Sequence, residues 1–201
     1  MRFIKLSLAA LLAAGVLGAL VGAASAGRLS LSGQTFRATF ASVEYFGGAS
    51  PARCALTLEG SFHSRTIVKT AGSLVGYVTR AVHGVCQQPG SATVLTATLP
   101  WHVRYRAFSG ALPNISSTSL DLIGFSVNIR EPSIGLTCLV RSTAEQPATL
   151  TFNREAAGVL SSVGLGGEIV SNCVGIRFRV AGTSNSLTAL NSTTRITLTL
   201  I

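Results

Sequence analysis

The chain has 201 residues, with sixteen Lys and Arg against seven Asp and Glu, a formal net charge of +9. That length suits one domain and is enough to bury a real core. The sequence contains no linker, no low-complexity tract and no long charge run, which leaves no place for a second domain. Aromatic residues, at 6%, are too few for the girdles of an outer-membrane barrel.

The first 26 residues have the layout of a secretory signal peptide. Arg2 and Lys5 supply a positive start, Leu6 to Leu20 run without a charge, and Ala24-Ser25-Ala26 offers small residues for cleavage after Ala26. No Cys follows the apolar run, so a lipid anchor on a new N-terminal Cys is excluded, and no Arg-Arg pair marks twin-arginine export. The expected mature chain, residues 27–201, keeps fourteen basic residues against the seven acids, a net +7. Thirteen of those cations are arginines and Lys69 is the single lysine. The Arg, Ala and Gly bias with the A-x-A exit suggests a bacterial, GC-rich source. The expected location is outside the cytoplasm: periplasm, cell surface or medium.

Beyond the leader, apolar and polar residues alternate with a period of two, the strand signal. Cys54, Leu56 and Leu58 share one face, with Thr57 and Glu59 on the other. Trp101, Val103 and Tyr105 oppose His102, Arg104 and Arg106. Asp121, Ile123, Phe125, Val127 and Ile129 read as one side of a further strand. The one helix candidate is a turn or two after Asn153, which can cap Arg154-Glu155-Ala156-Ala157 before Gly158 stops it. Ile176, Phe178 and Val180 oppose Arg177 and Arg179, and Ile196 to Ile201 alternates with threonine. Gly, Pro, Asn and Ser punctuate these runs, as at Gln88-Pro89-Gly90-Ser91 and Gly182-Thr183-Ser184-Asn185, where chain reversals need them. The expected fold is a single all-β domain, an antiparallel β-sandwich of about 9–11 strands, with a closed soluble barrel as the alternative.

Four cysteines, Cys54, Cys86, Cys138 and Cys173, lie 32, 52 and 35 residues apart. An even count in an exported chain reads as a disulfide framework. Of three possible pairings the sequential one, Cys54 with Cys86 and Cys138 with Cys173, closes the shortest spans. One feature opposes it: Cys173 shares the parity of Arg177 and Arg179, unless a bulge near Gly175 intervenes.

Catalytic signatures are missing. Gly72-Ser73-Leu74-Val75-Gly76 resembles a nucleophile elbow but sits in a strand pattern. The seven acids are scattered, and a cysteine nucleophile conflicts with an oxidised set. No close Cys or His pair marks a zinc site; His63, His83 and His102 stand on separate strands about twenty residues apart. No metal or cofactor is expected. The most distinctive surface pattern is His102, Arg104 and Arg106 projecting side by side, with Arg177 and Arg179 as a second basic pair at the same spacing. If their strands are neighbours, five cationic groups form a stripe for carboxylate, sulfate or phosphate. Nucleic acid is disfavoured, because Trp101, Tyr105 and Phe178 alternate onto buried faces and leave no stacking platform. The expected function is an exported, non-catalytic structural or binding module that contacts anionic polymers or a protein partner through a basic sheet face. The alternatives are a secreted hydrolase of unrecognised type and a small barrel holding an apolar ligand.

Overall fold

Period-two alternation becomes strand along nearly the whole chain. The computed structural model describes residues 28–201 apart from 48–50, 88, 112, 113, 133, 134, 156 and 157; the leader expected over residues 1–26 lies outside the described residues. Fifteen strands and one 3-10 turn (Thr96–Thr98) occur among them. In chain order the strands are β1 (Arg28–Leu31), β2 (Thr35–Phe46), β3 (Ala52–Phe62), β4 (Thr66–Val68), β5 (Leu74–Gln87), β6 (Ser91–Val94), β7 (Trp101–Ala111) and β8 (Asn114–Ile123). They continue as β9 (Ser126–Glu131), β10 (Leu136–Arg141), β11 (Ala148–Arg154), β12 (Leu160–Ser171), β13 (Phe178–Ser184), β14 (Ser186–Thr188) and β15 (Leu198–Leu200). Ten have six residues or more. The other five are too short to show a clear alternation, which is why the pattern alone anticipates about ten.

The all-β, antiparallel, disulfide-stabilised architecture is the one the sequence implies. Eight strands follow one another in the order β11–β8–β7–β5–β3–β2–β13–β12, and β12 pairs again with β11. The sheets therefore pack against each other around one core while their ring of hydrogen bonds closes. Closure removes the open edges that a flat sheet would expose. One end of the ring is covered by the three-stranded sheet β15–β1–β4. At the other, β10 continues from the end of β12 and carries β9 and β6 beside it.

The interior is filled by inward side chains, among them Phe36, Phe40, Tyr45, Trp101, Leu122 and Leu150, all essentially inaccessible. A void of about 10 Å³ remains beneath β1, among Leu31, Phe62, Ile67, Thr118, Phe152 and Leu160. That is at the threshold for one water, about 10–15 Å³, and far below the volume of an organic ligand. Close packing also explains two glycines. A Cβ on Gly60 would run into the Tyr77 carbonyl and the Phe36 ring, and one on Gly76 into the Ser61 carbonyl, so β3 and β5 approach only because neither position carries a side chain.

Both disulfides join sequential cysteines. Cys54 and Cys86 are directly opposed in the β3–β5 ladder; Cys138 in β10 is bonded to Cys173, just beyond β12. The parity conflict at Cys173 disappears because residues 172–177 are not strand. Gly175, at φ 77°, turns the chain there, so Ile176 and Arg177 precede β13 rather than belong to it. Two further expectations need correcting. The run from Asp121 to Ile129 is broken at Gly124, at φ 91°, so Leu120 and Leu122 point inward while Asp121 and Ile123 are half-buried on the outside. Asn153 and Arg154 are strand, not a cap and first helical residue: they complete β11, where Arg154 donates to the carbonyls of Leu198 and Ile115, while Ala156 and Ala157 lie outside the described residues.

Candidate functional site

The outer face of β7 is set by what its inner face buries. Trp101, Val103 and Tyr105 are buried. The Trp101 indole N–H donates to Thr98 Oγ1 at 2.8 Å, and its ring meets Phe125 edge-on at 5.1 Å. With those three residues fixed inward, His102, Arg104 and Arg106 have only the outside to occupy. His102 and Arg106 are exposed and Arg104 is half-buried.

Neighbouring strands give these three cationic positions unlike surroundings. Arg106 reaches across β8: its Nη1 lies 3.1 Å from Asp121 Oδ1 and 3.1 Å from Thr149 Oγ1 on β11. Arg104 stands between Leu74 of β5 and Asp121 of β8, and among the described residues it forms no ion pair. His102 pairs with Tyr77, their ring centres 5.4 Å apart. Tyr77 in turn meets His63, just past the end of β3, at 5.0 Å. The outside of the barrel thus carries a row of three rings, His63–Tyr77–His102, with the Arg104 guanidinium, lacking an ion pair among the described residues, two residues along β7. Beside it an open cleft of about 220 Å³ is lined by His63, Ser64, Thr66, Val68, Ser73 and Leu74.

The five expected cationic residues do not form one stripe. β13 lies four places from β7 around the ring of eight, between β12 and β2. Arg179 is opposite Glu168 and Phe46. Arg177 borders a separate open cleft of about 290 Å³ with Gln146, Glu168 and Ser171. Two basic places on opposite walls replace the stripe, because a ring of eight puts strands on opposite sides that a short sheet would put together.

The histidines divide in the same way. His63 and His102 flank Tyr77 on the surface, whereas His83 on β5 shares a hydrogen bond with the Tyr45 hydroxyl, 2.6 Å from its Nε2. Burial pushes the Tyr45 phenol far above its ordinary value, so the phenol keeps its proton. Burial likewise depresses His83 to about 4, against a smaller opposing effect of the Ala92 backbone. The imidazole is therefore neutral at pH 7, and its Nδ1, beside β6, is shut off from solvent without a well-formed hydrogen bond among the described residues. His83 also forms part of an open groove of about 310 Å³ with Ala81, Val82, Ala92 and Val94. At that groove β5 has no ladder with β7 beyond Val78 and none with β6. A buried phenol with a raised pKa is the reverse of an activated nucleophile.

Three of the seven acids, Glu44, Glu59 and Asp121, are paired with arginines. Burial raises Glu59, but hydrogen bonds from Arg80 and Arg37, together with their charges, outweigh it and hold the carboxyl below its ordinary value. Glu44 is paired with Arg53 and Asp121 with Arg106. Among the described residues no three of His, Cys, Asp and Glu come together as metal ligands would. Sequence reasoning missed the ring row and the Tyr45–His83 pair. Its only available signal was that Tyr77 and His102 both have outward parity, which says nothing of their adjacency. No family model, characterised protein or solved structure significantly matches this chain, so its functional reading rests on the chemistry of its own surface.

Proposed function

We propose that this chain is an exported, non-catalytic binding module that contacts anionic polymers through the outer face of β7, with His102, Arg104 and Arg106 as the contact residues and Arg177 and Arg179 as a second, separate basic place. The observation that carries the reading is Arg104: a guanidinium held by strand geometry on an outer face, with the carboxylate opposite it in the β7–β8 ladder, Asp121, already taken by Arg106. A planar five-donor fork left without an acid suits a carboxylate, sulfate or phosphate from outside. The excess of cations adds attraction over a longer range. Export rests on the leader-like first 26 residues and is supported by two disulfides, which persist in oxidising compartments.

Binding of the chain lacking residues 1–26 to a soluble polycarboxylate, read by calorimetry or co-sedimentation, tests this. Affinity should fall steeply between about 0.1 and 1 M salt, as the screening length shrinks from about 10 to about 3 Å. Arg104→Gln should weaken binding more than Arg179→Gln. Absence of binding, or affinity indifferent to salt, would remove the proposal.

A further inference from the structure

The basic face carries more than charge, and charge alone gives its aromatic row no purpose. His63 and His102 are exposed, Tyr77 is half-buried between them, and the ring centres are 5.0 and 5.4 Å apart. Leu74 and Val68, 38% and 46% exposed, add aliphatic surface beside the row. The adjoining cleft of about 220 Å³ has the Ser64, Thr66 and Ser73 side chains on its walls. Arg104 stands opposite Leu74 in the β5–β7 ladder. Aromatic faces, aliphatic patches, hydroxyls and one unpaired guanidinium are therefore gathered on a single outer surface.

The chemistry that uses all four is a sugar ring bearing a carboxylate. The axial C–H groups of a pyranose are weakly positive and rest on the negative face of an aromatic ring. Its hydroxyls exchange hydrogen bonds with serine, threonine and imidazole, and its carboxylate fits the arginine fork. A ringless polyanion would use Arg104 and leave the aromatic row idle. Nucleic acid would use charge and stacking, but the three rings are tilted by 51° and 60° to one another and offer no parallel planes for successive bases.

We infer that the His63–Tyr77–His102 row and Arg104 form a subsite for an acidic polysaccharide of the uronate type. This rests on the proposed polyanion binding and names its ligand class. The test compares the chain lacking residues 1–26 on polygalacturonate, on polyglutamate of matched charge and length, and on a single-stranded oligonucleotide, all at one salt concentration. Polygalacturonate should bind tightest, by about tenfold over polyglutamate. Tyr77→Ala combined with His63→Ala should abolish that preference while leaving polyglutamate affinity unchanged, which also shows that the variant is folded. Tyr77→Phe should keep the preference. Equal binding of the two carboxylate polymers would overturn the subsite and leave the polyanion reading standing. A preference that survives loss of both rings, or tighter binding of the oligonucleotide, would also overturn it. Binding of none of the three would overturn both.

Discussion

At the end of the barrel covered by β1, β4 and β15, the core is aliphatic and phenylalanine-rich, and the buried Thr118 Oγ1 there has no hydrogen-bond partner among the described residues. At the end covered by β6, β9 and β10, aromatic rings meet a polar pair. Phe125 lies between Trp101 at 5.1 Å and Tyr45 at 6.4 Å, and Tyr45 holds His83. The Cys54–Cys86 and Cys138–Cys173 bridges belong to this second end. The difference follows from strand pairing. Toward the first end the ring is complete and apolar packing suffices. Toward the second, β5 loses β7 as a neighbour after Val78, and large rings, an internal hydrogen bond and covalent links stand where a paired strand would have held the wall.

If the second end depends on those devices, removing its largest ring should cost most. Trp101→Ala is expected to lower unfolding free energy by about 3–5 kcal/mol, measured by denaturant titration; a cost below about 1 kcal/mol would mean that this end is less tightly packed than described. Replacing Cys54 and Cys86 together with Ala should cost about 3–4 kcal/mol on the loop-entropy account for a separation of 32 residues. A much smaller loss would show that the β3–β5 ladder holds without its bridge.

Acid should single out the same end. His83 is depressed from 6.5 to about 4 by burial, so between those values the unfolded chain takes a proton that the folded chain refuses. Its effect on stability is nil above about pH 6.5, grows as pH falls toward about 4, and is constant below. The loss amounts to about 3 kcal/mol in all. His83→Gln should flatten the pH dependence of the denaturation midpoint across that window; an unchanged slope would mean that His83 is not buried neutral. The smallest effect belongs to the first end. Thr118→Val removes an unpartnered buried hydroxyl and should stabilise the fold by about 1 kcal/mol. Destabilisation there would reveal a hydrogen-bond partner for Thr118 in the neighbouring void.

Much of this could be read before any coordinates. Trp101, Val103 and Tyr105 announce their burial, and His102, Arg104 and Arg106 their exposure, because a strand sends successive side chains to opposite faces whatever its partners. Ile176 and Arg177 misled because alternation continued, by chance of composition, into a turn controlled by Gly175. The Asp121–Ile129 run misled because the positive φ of Gly124 moves the inward set from Asp121 and Ile123 to Leu120 and Leu122.

The ring row and the internal pair were beyond reach for another reason. His63 meets Tyr77 across 14 positions and Tyr77 meets His102 across 25, while Tyr45 meets His83 across 38. Each contact depends on register and strand order, which periodicity does not encode. The all-β class, the faces of most long strands and an even set of cysteines are legible in the residues alone, because those follow from local alternation and composition. That the ring closes, that β7 and β13 lie on opposite walls, and that Arg104, without an ion pair among the described residues, stands beside three rings came from the assembled fold, since closing a sheet is a property of all its strands at once.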